Sequence, residues 1–62
     1  MNKYRDCTTT ELLAIDAGLD YYDPDLVAEI CDRAGLSEAY AAADGESFEN
    51  VFDRAVEILK ED

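Results

Sequence analysis

The residues that most restrict this fold are Phe48, Val51, Phe52, Ala55, Val56 and Leu59. They recur at intervals of three and four, the spacing that puts side chains on one side of a helix. Ser47 stands just before them as a candidate N-cap, so a long amphipathic helix is expected over about residues 48–60. A helix with one apolar face needs a partner. The same spacing recurs at Leu26, Val27, Ile30, Cys31 and Ala34, between Asp23-Pro24 and Gly35. Asp can accept hydrogen bonds from the free N–H groups of a first turn, Pro suits the first helical position, and Gly suits the stop.

Two shorter helices complete the pattern. Thr8-Thr9-Thr10-Glu11 has the spacing of a capping box, and Leu12, Leu13 and Ile15 follow it. This predicts a helix over about 9–17, with Gly18 as its stop. Ser37 is a candidate cap for a short alanine-rich helix from Glu38 to Ala43, and Asp44-Gly45-Glu46 reads as a turn. No segment reads as a strand. The expected fold is a single all-α domain, residues 1–62, a compact bundle of three to four short helices with the second and last supplying most of the core.

Length and charge set the function classes. A chain of 62 residues has little room for an enclosed cavity. Sixteen acidic residues face five basic ones, a formal net charge of -11. Solubility asks for a magnitude of only about 2–8 in a small domain, and the excess opposes compaction. Nucleic acids and anionic membranes require basic footprints, so neither is an expected direct ligand. The natural counterpart is a basic protein; on a mimicry reading it is a nucleic-acid-binding protein or complex. No apolar run approaches the roughly 20 residues of a membrane span, and residues 1–6 lack a signal-peptide core, so a cytoplasmic setting is expected.

Catalytic and metal chemistry finds little support. Without histidine there is no His-based acid–base or nucleophilic arrangement. There is no Cys-x-x-Cys, and Cys31 sits on an apolar face while Cys7 precedes the first helix. Neither Asp20-Asp23-Asp25 nor Asp44-Gly45-Glu46 matches an EF-hand loop. No enzyme activity, cofactor or dedicated metal site is expected.

The acids fall in two groups. Glu49, Asp53, Glu57 and Glu61 stand at successive i, i+4 steps, about 6 Å apart along the last helix. Three like-charge pairs of that kind oppose helix formation by on the order of 1 kcal/mol. Arg54 and Lys60 relieve this in part. Asp16, Asp20, Asp23, Asp25 and Glu29 form the second group, around Tyr21 and Tyr22. Tyrosine brings contact area and a polar tip, so the two are candidate anchors of a binding surface. The contact residues expected from the sequence are Glu49, Asp53, Glu57, Asp20, Asp23, Glu29, Tyr21 and Tyr22.

In its length, its charge of -11 and the stripe Glu49, Asp53, Glu57 and Glu61, the chain resembles small acidic phage-encoded inhibitors, such as anti-CRISPR proteins and other DNA mimics. The likeness is one of class, without a shared motif or fold. It implies a stoichiometric inhibitor that occupies a basic nucleic-acid channel of a host protein, for instance of a CRISPR effector. Separately, Glu46-Ser47-Phe48-Glu49-Asn50-Val51 resembles the Asp-Ser-Leu segment of acyl carrier proteins, in which the serine carries phosphopantetheine. That family continues with further helix after this segment, and here Ser47 reads as an N-cap. Three other readings stay open. One is a small helical adaptor or dimerising subunit docking through Tyr4, Tyr40 and Ala41-Ala42-Ala43. Another is a regulator masking a basic protein that does not bind nucleic acid. The third is adaptation to a halophilic cytoplasm.

Overall fold

The structure is a computed structural model that describes residues 2–61. Four helices follow in order: α1 (Thr9–Gly18), α2 (Pro24–Arg33), α3 (Ser37–Ala42) and α4 (Ser47–Lys60). No strand occurs among the described residues, so the all-α expectation holds. The radius of gyration is 10.6 Å, as for a globule of this length.

Each boundary has a local cause. Thr8 accepts from the N–H of Glu11 (3.1 Å), and the Glu11 carboxylate accepts from the N–H of Thr8 (2.9 Å), which closes the capping box of α1. Asp23 caps α2 by accepting from the N–H of Asp25 at 3.0 Å, with Pro24 first in the helix. Gly35, at φ 77°, ends α2. The N–H of Leu36 reaches the carbonyl of Cys31 (2.8 Å) and that of Gly35 reaches Asp32 (3.1 Å), the two bonds of a Schellman motif.

Three expected caps are corrected. Gly18 is the last residue of α1 and has no positive φ; the helix ends where Leu19 becomes extended. Ser37 lies inside α3 and donates to Asp32 (2.7 Å). Ser47 is the first residue of α4 rather than its cap. Asp44 does the capping, accepting from the N–H groups of Glu46 (3.2 Å) and Ser47 (2.9 Å). A carboxylate outcompetes a hydroxyl for free N–H groups at the positive end of a helix.

α2 is the central element and packs against the other three, most extensively against α4. The core is Leu12 from α1, Leu26, Val27, Ile30 and Cys31 from α2, and Phe52, Ala55 and Leu59 from α4. The two long amphipathic faces thus meet as their periodicity requires. Cys31 is buried and its thiol is pushed up by that burial, while Cys7 is half-buried; both are free thiols. No helix among the described residues is long and apolar enough to cross a membrane.

Candidate functional site, an acidic face around two tyrosines

Two kinds of carboxylate separate in the fold. The first kind is consumed by the structure. Glu29 is buried, 4% exposed, and accepts from Arg33 Nε at 2.9 Å. Arg33 in turn donates to the carbonyls of Tyr4 (3.4 Å) and Arg5 (3.0 Å), tying the N-terminal segment to α2. Asp23 is also buried. Beyond its capping bond it accepts from the Tyr4 hydroxyl at 2.8 Å and pairs with Lys3 at 3.4 Å. The Tyr4 hydrogen bond holds its carboxyl below the ordinary value, with the N–H of Asp25 and the Lys3 ammonium contributing. Glu11 and Asp44 are likewise held low by hydrogen bonds, to Thr8 and to Ser47 respectively. Asp32 pairs with Arg5 at 3.9 Å.

Glu29 and Asp23 are therefore withdrawn from the expected contact surface. Both are largely buried and already matched, Glu29 by Arg33 and Asp23 by Tyr4 and Lys3. The sequence carried a signal for the first of these: Glu29 and Arg33 are spaced i, i+4 on one helix face. Nothing local announces the second, because Tyr4 lies 19 residues from Asp23.

The second kind of carboxylate lies across the end of α1, the loop after it, and α4. Asp16, Asp20, Tyr21, Tyr22 and Asp53 line one depression of about 370 Å³. Asp16, Asp53, Glu57 and Lys60 line an adjoining one. Glu49 belongs to the same face, since with Asp53 and Asp16 it acts on the Tyr22 hydroxyl. Among the described residues, none of Asp16, Asp20, Glu49, Asp53 and Glu57 has a basic group within 4.0 Å. The protein's ion pairs gather instead where Lys3, Arg5 and Arg33 meet Asp23, Asp32 and Glu29. Lys3, Arg5 and Arg33 thus match Asp23, Asp32 and Glu29, and the α4 face is left with more acids than its own bases, Arg54 and Lys60, can offset.

Asp16 is the carboxylate of this face whose burial matters most. Its carboxyl is raised above the ordinary value of 3.8 by desolvation, which outweighs the opposing pull of Lys60; Asp53 adds a smaller push in the same direction as desolvation. It was not among the expected contacts, although its place beside Asp20 and Tyr21 was legible.

The tyrosines differ in role. Tyr21 is 66% exposed and free to be buried by a partner. The Tyr22 ring stands edge-on to Phe48 (5.2 Å between centroids) and to Phe52 (5.6 Å). Its hydroxyl is held protonated, first by desolvation and then by Glu49, Asp53 and Asp16. Tyr22 is thus held by its ring against α4 beside the acids, and Tyr21 stands exposed next to it. Among the described residues no group of three or more His, Cys, Asp or Glu side chains is placed to hold a metal ion.

The apolar patch splits as well. Tyr40, Ala41 and Ala43 line a groove with Phe48 and Tyr22. Tyr4 does not share it, because its ring is half-buried and its hydroxyl is bound to Asp23.

Comparison of the chain with protein-family models, with curated proteins and with solved structures finds no match.

Proposed function

We propose that this protein acts by binding and not by catalysis, as an inhibitor whose carboxylates stand in for nucleic-acid phosphates on a basic surface of another protein. The observation that carries this reading is the segregation of charge. Asp16, Asp20, Glu49, Asp53 and Glu57 line one face without an ion pair among them, while the protein's ion pairs form elsewhere and Lys60 is, among the described residues, the one base lining that face's depressions. Helix α4 presents its acids about 6 Å apart on a rigid support, and duplex DNA carries one charge per about 1.7 Å of axis. Lys and Arg side chains built to grip phosphates find similar acceptors here. Association of this kind is fast at low salt and weakens as salt screens it. A CRISPR effector is one kind of host protein with such a channel.

The test is competition. A labelled DNA duplex is bound to a panel of basic nucleic-acid-binding proteins, effector complexes included, and the acidic protein is titrated in. Displacement is expected at low salt from at least one member and is lost as salt rises. Asp53→Lys combined with Glu57→Lys keeps the helical circular dichroism, because both positions are exposed, and abolishes displacement. Displacement that survives this double change would sink the reading.

The adaptor reading retains one supporting observation, the apolar groove beside Tyr40. Docking through that groove alone would respond little to salt.

A further inference from the structure

Behind Tyr22 the surface opens into a groove of about 490 Å³ whose walls are Tyr22, Pro24, Val27, Tyr40, Ala41 and Phe48. These walls are apolar save for the tyrosine hydroxyls, and no segment among the described residues fills the space. Asp44, at its rim, already has its carboxylate engaged by the N–H groups of Glu46 and Ser47. The groove therefore offers contact area without a charge of its own to satisfy.

What surrounds it decides the occupant. Tyr22 is a wall of this groove and also of the depression lined by Asp16, Asp20 and Asp53. A chain that lowers a side chain behind Tyr22 lies next to those carboxylates, since the two surfaces share that ring as a wall. A second copy of this protein would bring another net charge of -11 to the same place, which repulsion opposes. A neutral apolar segment would remove water from the neighbouring carboxylates and give them no partner. A cationic segment with one apolar side chain satisfies both surfaces together.

We propose that the groove seats an apolar anchor, aromatic or aliphatic, carried by a basic amphipathic segment of the partner protein. The Lys and Arg side chains next to the anchor lie over Asp16, Asp20, Glu49 and Asp53. This rests on the reading of the acidic face given above and names what that reading leaves open: the target surface is a basic segment with an exposed apolar side chain, more than a lattice of phosphate sites.

Calorimetry with three synthetic helical peptides tests it on the intact protein. One is rich in Lys and Arg and carries a single Phe, the second has Ala in place of that Phe, and the third keeps the Phe but has Gln for every base. The anchored basic peptide should bind about tenfold tighter than its Ala counterpart, the effect of burying one apolar side chain. In amide NMR spectra of the unmodified protein it should shift Ala41 and Phe48 in addition to Asp53, and the Ala peptide should shift the acidic face alone. Ala41→Trp, a neutral change at an exposed position, should erase the tenfold preference and leave binding of the Ala peptide unchanged. Equal affinity of the two basic peptides, or shifts confined to the acidic face, overturns the groove assignment while the acidic reading stands. Binding of the Gln peptide as tight as that of the anchored basic one overturns both. Sedimentation that shows a dimer disrupted by Ala41→Trp gives the groove to a second copy and also overturns the proposal.

Discussion

Glu29 and Glu49 are chemically identical and lie in opposite circumstances. Glu29 is 4% exposed with Arg33 as its partner, and Glu49 is exposed with no base beside it. Removing one partner of a buried ion pair typically destabilises by about 3 kcal/mol or more, and Arg33 would keep only its bonds to the Tyr4 and Arg5 carbonyls. A domain of this length is stable by only about 3–9 kcal/mol in total. Glu29→Ala should therefore lower the urea midpoint severely, by a loss of about 3 kcal/mol, while Glu49→Ala should change stability by less than about 0.5 kcal/mol. Asp16 makes the opposite case. Its folded carboxyl sits above the ordinary 3.8, so the folded chain holds that proton more tightly than the unfolded chain. The charge then costs stability at neutral pH, and the cost vanishes as pH falls through the raised value to below 3.8. Asp16→Asn should raise the thermal midpoint at pH 7, and the gain should fade under acid titration. Asp23 has the reverse sign: its folded carboxyl lies below 3.8, so its contribution is full above that value and is lost as pH falls through the folded one. An acid kept where it weakens the fold, while Asp23 and Glu29 strengthen it, is what a binding role for the Asp16 face would produce.

Among the elements, the helix ends carry the sharpest contrasts. Gly35 and Gly18 both close a helix, yet only Gly35 has a left-handed backbone, and neither position would bring an added Cβ within 4 Å of another atom. The penalty at Gly35 is thus conformational and free of steric clash. Gly35→Ala should cost about 1–2 kcal/mol, whereas Gly18→Ala should stabilise by about 0.5–1 kcal/mol. Chemical denaturation of the two variants checks the sign of each. Helix α4 shows how one element serves two ends. Phe52, Ala55 and Leu59 fix it to α2, and the exposed stripe Glu49, Asp53 and Glu57 lies on its outer side. The core contact holds a helix whose outer face repels itself, which a free peptide of this sequence could not do as well.

At the scale of the whole molecule, the charge of -11 is spread unevenly, with the ion pairs among the described residues confined to Lys3, Arg5 and Arg33, and salt dependence distinguishes a binding surface from a general adaptation to salt. If the acids existed to hold water and ions in a concentrated cytoplasm, folding itself would require that salt. Here the described core is closed, with no buried side-chain nitrogen or oxygen left without a hydrogen-bond partner. The protein should remain folded at about 0.05 M NaCl and gain only modestly by about 1 M, where the Debye length has shrunk to about 3 Å. Circular dichroism across that range checks it. A chain that unfolds as salt is withdrawn would transfer the acidity to the halophilic explanation and leave the acidic face without a partner to explain.

What the sequence determined by itself was the set of elements: four helices, the facing apolar stripes of α2 and α4, the capping box at Thr8, the Asp23-Pro24 start and the Gly35 stop. These depend on neighbours within a turn or two, so periodicity and cap chemistry suffice to read them. Only the tertiary structure decided which carboxylates remain available. Asp23 is taken by Tyr4 from across the chain, Glu29 is covered where Arg33 clasps the N-terminal segment, and Asp16 is carried beside Asp53 by the docking of helices distant in sequence. The groove behind Tyr22 likewise exists only because α3 and the start of α4 close around it. Burial and pairing of charge follow from which helix faces meet, and that is settled by packing between segments far apart in the chain, which local pattern does not encode.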